Sequence, residues 1–187
     1  MAHLVGATGH VVTIDVDDDI VDAARGHLRT AGVERVEVVC GDGGLGFAAG
    51  TFYDRIIVTA GANDIAPAWW GQLAAGGRIV VPITGIDPRS SNQRLLALDR
   101  VGDRLEGRVV SVMRFVPMRG TVEADAAPDP AALARLAAIP AANRPEAAAD
   151  AIPEIGVRAY RAGHAPPPGA DEYRIDRRWT SFVCQWR

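Results

Sequence analysis

The fold of this chain is decided by the stretch Val36-Glu37-Val38-Val39-Cys40-Gly41-Asp42-Gly43-Gly44-Leu45-Gly46, which is followed by Tyr53-Asp54-Arg55-Ile56-Ile57-Val58-Thr59-Ala60. The first run alternates apolar and polar residues, and the second is the continuous apolar run of a strand buried in a parallel sheet. The glycines between them lack the Cβ atoms that would keep a flat ligand off the backbone. Asp42 follows the first strand directly, at the end where open α/β sheets bind ligands.

The preceding residues complete a strand–helix–strand unit. Residues 10–15 predict a strand, and residues 18–31 predict a helix because apolar residues recur at helical spacing up to Gly32. Asp15 closes the strand, and its two carboxylate oxygens suit the two hydroxyls of a cofactor ribose. The alternative is that Asp15 begins a turn or caps the helix. We favour the ribose contact, since residues 17–19 already supply candidate caps.

The residues after this stretch predict more sheet. A loop at 60–67 lies at the carboxyl end of a strand, followed by a helix at 68–75 and a strand at 78–82. Trp69 and Trp70 are interpreted as helix packing residues rather than substrate platforms. Strands at 93–100 and 108–116, joined through Gly102 and Asp103, predict an antiparallel hairpin.

The composition changes after Thr121, where the chain becomes rich in Ala and Pro. We therefore divide it into a core at 1–121 and an extension at 122–187. The extension predicts one helix near 130–138 and a terminal strand at 177–186, packed as an edge strand. The expected class is α/β, with a mostly parallel sheet and an antiparallel hairpin near its end.

Composition excludes several kinds of protein. The 187 residues are 48% hydrophobic with a net charge of -3, which suits one globular core and gives no electrostatic case for nucleic-acid binding. All 20 basic residues are Arg, so Schiff-base lysine chemistry and a Walker A lysine are excluded. The four His are scattered, and we expect no metal site. The sequence has only two Cys, no visible secretion signal and no apolar run long enough to span a membrane. We therefore expect a cytoplasmic protein that does not associate with membranes.

From about Leu4 to Met118 the chain resembles the protein-L-isoaspartate O-methyltransferase family, class I enzymes that use S-adenosyl-L-methionine. No single motif is specific to the family, but the order and spacing of the motifs taken together are. The matching residues are Gly9-His10-Val11-Val12-Thr13-Ile14-Asp15, Ala24-Arg25 with Leu28, Cys40-Gly41-Asp42-Gly43, Gly46, residues 53–60, Gln72-Leu73, Gly76-Gly77-Arg78, Val81-Pro82 and Phe115-Val116-Pro117-Met118.

The resemblance implies a Rossmann-like methyltransferase fold and roles for individual residues. It implies that Asp15 binds the ribose hydroxyls of the cofactor and that Asp42 addresses the adenine. Val16 is expected among the cofactor-binding residues. It assigns Thr59 and Ala60 to the border of the substrate pocket, where the carboxylate enters. It also implies that Phe115 to Met118 lies near the peptide channel. The remaining cofactor-binding residues that it implies are Gly41, Gly43 and Val58.

The sequence departs from the family at its start. The family has a peptide-binding region with a serine-proline motif, then a strand ending in a Gly-x-Gly-x-Gly loop, and this sequence begins after both. We expect a fragment or a start codon placed too far downstream; the alternative is a degenerate, non-catalytic relative acting as an interaction module. Two strands would then present unpaired facing edges. We expect the chain as given to bind the cofactor weakly and to dimerise or aggregate.

The function implied is methylation of isoaspartyl carboxylates in proteins or peptides, as in protein repair. A carboxylate is ionised at neutral pH, so no general base is needed. The alternative is methylation of an aspartate in a ribosomally made peptide, with the extension binding a leader or precursor. A nicotinamide dinucleotide protein would use Asp15 in the same way, but no hydride-transfer residue is evident.

Overall fold

The structure is a computed structural model that describes residues 1–48, 51–86, 92–121 and 155–186. Within these ranges strands predominate, with two α-helices and a single 3-10 turn at Gly43–Leu45. The elements are β1 (Val11–Asp15), α1 (Asp18–Thr30), β2 (Val36–Cys40), β3 (Tyr53–Ile57), α2 (Pro67–Gln72), β4 (Leu73–Ile83), β5 (Gln93–Val101), β6 (Arg104–Met113), β7 (Ile155–Arg161), β8 (Glu172–Asp176) and β9 (Thr180–Trp186).

The first three elements form a small unit. β1 and β2 pair in parallel, with Val11 opposite Val36 and Asp15 opposite Cys40. α1 connects them and buries Val21, which is 1% exposed. Gly32 follows the helix with a φ of +66°, a conformation that glycine adopts without strain. The predicted strand, helix and strand are confirmed, and their bounds differ by a residue.

The remaining strands form one mixed sheet in the order β3-β4-β5-β6-β7-β9-β8. β3 and β4 are parallel, and every later pair is antiparallel. The predicted hairpin is confirmed as β5 and β6, which turn through Gly102 with a φ of +61°. The α/β class is confirmed. The described pairs are more antiparallel than the sequence indicated because β7, β8 and β9 join this same sheet.

Four strand edges are unpaired in the described part of the chain. They are the outer edges of β1 and β2 in the two-stranded sheet and those of β3 and β8 at the ends of the large sheet. The sequence predicted unpaired facing edges on two neighbouring strands, and that two of these edges face each other remains a prediction. The small unit and the large sheet therefore have separate hydrogen-bond ladders.

Two predicted elements need correction. β4 begins at Leu73 rather than Arg78, because Leu73 pairs with Tyr53 and the two glycines at 76 and 77 lie in a register shift rather than at a helix stop. The terminal strand β9 is not an edge strand, since it lies between β7 and β8. The helix predicted near 130–138 lies outside the described residues.

The main core lies on the large sheet. Trp69 and Trp70 are each 4% exposed and pack there with side chains such as Leu73, Leu96 and Phe182, which confirms their packing role. β7, β8 and β9 contribute fully buried residues to the same core, so the C-terminal strands are part of it. Within the described ranges, neither α-helix has the length and apolar character that a membrane-crossing helix requires.

Candidate functional site

Asp15 stands at the carboxyl end of β1, beside the start of the glycine loop. Its main-chain oxygen accepts a hydrogen bond from the Gly41 amide at 2.8 Å, which fixes the two strand ends together. Its carboxylate Oδ1 accepts from the Asp17 amide at 3.1 Å. Among the described residues Oδ2 has no hydrogen-bond partner. Asp15 therefore keeps an acceptor oxygen, and its predicted contact with a cofactor ribose remains a prediction.

The glycine loop leaves open space at two of its positions. A Cβ atom added at Gly41 or Gly43 would meet nothing within 4 Å. Asp42 lies between them, and its Oδ1 caps the 3-10 turn by accepting from the Gly44 amide at 2.8 Å. The loop thus has a fixed shape and an open face, which suits a flat base.

Helix α2 holds this loop in place. The indole Nε1 of Trp69 donates to the Gly43 oxygen at 2.8 Å. The Gln72 side chain pairs with the Phe47 main chain, accepting from its amide at 3.1 Å and donating to its oxygen at 3.0 Å. Sequence reasoning missed both supporting roles, because each hydrogen bond joins residues that are 25 or 26 positions apart in the chain. The only local signal was the polar Gln72 at the end of an apolar helix.

A strap, residues 116–121, crosses from the large sheet to the small unit. Gly61 donates to the Val116 oxygen and accepts from the Met118 amide, both at 2.8 Å. Farther along, Arg119 forms an ion pair with Asp17. The sequence predicted that residues 115–118 lie near the substrate channel, but it did not indicate that the chain continues onto the carboxyl ends of β1 and β2.

Asp42 is the second anchor of the strap. Its Oδ2 accepts from the Thr121 amide at 2.7 Å and from the Thr121 hydroxyl at 2.5 Å. Burial raises the pKa of Asp42, but the bonds from Thr121 and Gly44 outweigh it and lower the pKa overall. The carboxylate is therefore ionised at neutral pH and already engaged by the chain, so its predicted contact with an adenine remains a prediction.

The remaining predicted residues lie around the loop that follows β3. Val58 is buried and its amide donates to Val80 at 2.9 Å, whereas Thr59 is exposed and Ala60 is half-buried. Val16, at the end of β1, is exposed. The strap links this loop, through Gly61, to the acidic residues of the small unit. The binding roles expected of Val16, Val58, Thr59 and Ala60 remain predictions.

Asp64, in the same loop, is a buried acid that sequence reasoning missed. It is 4% exposed, and its two oxygens accept from the amides of Ile65 at 2.7 Å and Trp179 at 2.8 Å. Burial raises the pKa of Asp64, although donors from Thr180, Trp179 and Ile65 and the charge of Arg177 lower it. No local pattern could have found this contact, since 115 residues separate its partners.

The site fits the nucleoside part of a cofactor. The open oxygen of Asp15 is a charged acceptor suited to ribose hydroxyls, and the space over Gly41 and Gly43 admits a flat base. These features lie at the carboxyl ends of two adjacent parallel strands, which is the usual ligand position in open α/β sheets.

Comparison with known proteins gives one consistent result. The sequence profile of the family described as protein-L-isoaspartate(D-aspartate) O-methyltransferase (PCMT) matches residues 1–123. A protein-L-isoaspartate O-methyltransferase from Methanothrix thermoacetophila is 38% identical over 120 residues, covering 64% of this chain and 54% of the relative. One from Aeromonas salmonicida is 36% identical over 118 residues, covering 63% and 54%.

A solved structure agrees with these relatives. A protein-L-isoaspartate O-methyltransferase superimposes with a TM-score of 0.60 at 31% identity, covering 65% of this chain and 38% of that chain. The chain spans about half the length of the curated relatives described above. Since the family profile matches well over half of its residues, the chain belongs to the protein-L-isoaspartate(D-aspartate) O-methyltransferase family.

Proposed function

We propose that this protein is an S-adenosyl-L-methionine-dependent carboxyl methyltransferase that acts on isoaspartyl residues of proteins or peptides, as in protein repair. Membership of the family supports this function. The observation that carries it is the open carboxylate oxygen of Asp15 beside the open glycine loop, at the ends of paired parallel strands.

The binding residues have separate tasks. Asp15, with Val16 beside it, holds the ribose, because a carboxylate can accept hydrogen bonds from two neighbouring hydroxyls. Gly41 and Gly43 admit the base, and Asp42 keeps their loop in shape through its bond to Gly44. Val58, which is buried directly after β3, borders the bound cofactor. The bound cofactor supplies an electrophilic methyl group on a sulfonium.

The substrate side needs little acid–base chemistry. A substrate carboxylate is ionised at neutral pH, so no residue has to remove a proton from it. What the chain supplies is orientation and shielding from water, which strengthen the attack of an oxygen nucleophile. Thr59 and Ala60 border the position of that carboxylate, and the exposed Thr59 hydroxyl can donate a hydrogen bond that orients it.

A second candidate is methylation of an aspartyl residue in a ribosomally made peptide. The observation that favours it is the position of β7, β8 and β9, which continue the sheet and reach the loop after β3 through the Trp179–Asp64 contact. A precursor peptide bound to these strands would be held beside the site. The proposal also includes the absence of nucleic-acid and membrane partners and a cytoplasmic setting. The setting is supported by Cys40 and Cys184, which form no disulfide in the described part of the chain.

Cofactor binding is tested by titrating S-adenosylhomocysteine into the protein produced from its complete coding frame. Asp15→Asn keeps the bond to Asp17 and removes the charge. Because a hydrogen bond to a charged group is worth about 1.5–3 kcal/mol, the affinity should fall at least roughly tenfold. Asp54→Asn, an exposed acid at the opposite end of β3, is the control and should leave the affinity unchanged. Equal affinities for all three proteins would refute the assignment of Asp15.

The substrate is tested by methyl transfer to paired peptides that differ only in an isoaspartyl or a normal aspartyl residue. Transfer to the isoaspartyl peptide supports the repair function, and transfer to the aspartyl peptide alone supports the second candidate. Transfer to neither peptide by a protein that binds S-adenosylhomocysteine would contradict both.

A further inference from the structure

The loop after β3 is fastened by a buried carboxylate to the C-terminal strands. Asp64 lies five residues beyond Thr59 in this loop, and each of its oxygens accepts a main-chain amide, one from Ile65 and one from Trp179. Acids are seldom so fully buried without partners of this kind. The Trp179 amide belongs to the turn between β8 and β9, so the carboxylate joins two segments that are far apart in the sequence.

The same turn makes further contacts around Asp64. The Thr180 hydroxyl donates to the Ile65 oxygen at 3.4 Å, and Arg177 donates to the Thr84 oxygen at 3.2 Å. Tyr173, on β8, donates to the Ile86 oxygen at 2.5 Å. The C-terminal strands therefore hold the loop after β3 and also the segment that follows β4.

The opposite side of the loop is held by the strap. Gly61 exchanges hydrogen bonds with Val116 and Met118, and the Ala62 amide donates to the Pro82 oxygen at 2.9 Å. Because the Val58 amide also donates to the Val80 oxygen at 2.9 Å, the chain is fixed both before and after the short segment that carries Thr59 and Ala60. A shift at Asp64 would be transmitted to Gly61, since only two residues separate them.

Burial of this charge does not serve stability by itself. Removing a carboxylate from water is costly, and the raised pKa of Asp64 shows that burial disfavours its ionised form despite the bonds that it accepts. Buried charges of this kind can fix one geometry at the expense of stability. The two bonds of Asp64 define where the loop lies relative to β9.

We propose that Asp64 is a positioning residue through which the turn between β8 and β9 sets the place of Thr59 and Ala60 beside the substrate carboxylate. This inference rests on the proposed function for its consequence, but its structural premise stands on the contacts alone. It assigns a part in methyl transfer to the C-terminal strands, which lie beyond residues 1–123, the part of this chain that the family profile matches.

The test compares the wild-type protein with Asp64→Asn and a control, Asp99→Asn. Asp64→Asn replaces one carboxylate oxygen by an NH₂ group. That group faces one of the two main-chain amides and cannot accept its proton, so one hydrogen bond is lost while the side-chain volume is kept. Asp99 is an acid on β5 that pairs with Arg78 toward the amino end of the paired part of β4, whereas the loop follows the carboxyl end of β3. Amide exchange is followed in segments 61–67 and 177–181, together with the S-adenosylhomocysteine affinity and the kcat and KM for an isoaspartyl peptide.

We expect Asp64→Asn to exchange about tenfold faster in both segments, as for the loss of one hydrogen bond to a charged group. The kcat/KM for the peptide should fall at least about tenfold with S-adenosylhomocysteine affinity kept within about twofold, and Asp99→Asn should change none of these. Unchanged exchange, or a loss shared equally by cofactor affinity, would overturn the inference.

Two controls keep the outcomes separate. If the wild-type protein transfers no methyl group, the proposed function fails, and the exchange data still decide whether Asp64 couples the two segments. If Asp64→Asn does not fold, Thr180→Val removes the hydroxyl that the Ile65 oxygen and the Asp64 carboxylate share as a donor, while keeping the side-chain shape. That variant should loosen segment 61–67 and lower kcat/KM in the same direction, and no change in either would overturn the inference.

Discussion

The indole Nε1 of Trp69 donates a hydrogen bond to the main-chain oxygen of Gly43 over 2.8 Å. A core side chain of α2 therefore fixes the glycine loop of the candidate site. Its neighbour Trp70 is buried to the same extent, yet its Nε1 has no partner among the described residues. Two adjacent indoles thus differ in one hydrogen bond.

Substituting each indole by phenylalanine measures that bond. Trp69→Phe should lower the free energy of unfolding by about 0.5–1.5 kcal/mol more than Trp70→Phe, because only the first loses a satisfied bond. Trp70→Phe loses its contact with Arg161, which lies 5.9 Å from the ring centroid, and this narrows the difference. Urea denaturation of both variants provides the measurement. Equal losses would show that the Trp69 bond adds nothing.

Asp64 should give the protein an unusual dependence on pH. Its pKa is raised by burial, so the folded state binds a proton at a pH where the unfolded chain has released it. The stability linked to this group is fully present below the ordinary value of 3.8 and is lost as the pH rises through the raised pKa. Acidification through that window should therefore stabilise the wild-type protein relative to Asp64→Asn. A constant difference between the two would contradict the raised pKa.

Asp99 should behave in the opposite way. Its hydrogen bond to Arg78 lowers its pKa, with the charges of Arg78 and Arg55 acting in the same direction and burial opposing them. The stability that it contributes is present above 3.8 and is lost as the pH falls through the lowered pKa. The wild-type protein should approach Asp99→Asn in stability on acidification. Denaturation curves recorded at pH 7 and at pH values below about 3.8 compare the two proteins.

Gly107 on β6 should not tolerate a side chain. A Cβ atom there would lie 1.9 Å from the Ala97 oxygen on the neighbouring strand, so the backbone would have to move. We expect Gly107→Ala to lower the midpoint of thermal unfolding, with a loss of roughly 1–3 kcal/mol. Gly26→Ala is the matched control, since its Cβ meets nothing within 4 Å on α1. Gly26→Ala should raise the free energy of unfolding by about 0.5–1 kcal/mol. A lower free energy of unfolding in both variants would contradict the steric explanation.

Local signals were sufficient for the elements of the small unit. Alternating residues at 36–40, helical spacing from Asp18 and the glycine at 32 each act within a few residues, and they place β1, α1 and β2 within about one residue. The hairpin turn at Gly102 was found for the same reason. In contrast, the start of β4 depends on pairing between Tyr53 and Leu73. The helix predicted at 68–75 therefore overlaps residues that belong to this strand.

The candidate site was predictable in its acids and glycines but not in their partners. The positions of Asp15 and Asp42 at the carboxyl ends of β1 and β2 were visible in the sequence, and their binding roles remain predictions. The bond between Asp42 and Thr121 spans 79 residues, and that between Asp64 and Trp179 spans 115. Such contacts depend on how the strap and β9 are laid down in three dimensions. The position of β9 between two strands was missed for the same reason.

The separate hydrogen-bond ladders link cofactor affinity to the cooperativity of folding. Among the described residues, the fully buried side chains of the main core all lie at or after Val58, whereas the small unit fully buries only Val21 among its apolar residues. The small unit can therefore open while the large sheet remains intact. A ligand held by Asp15, as proposed, would bind only those protein molecules in which the small unit is closed. The apparent affinity of the ligand would then be its intrinsic affinity multiplied by the fraction of closed molecules. Changes that stabilise α1, far from the ligand, would then tighten binding without a new contact.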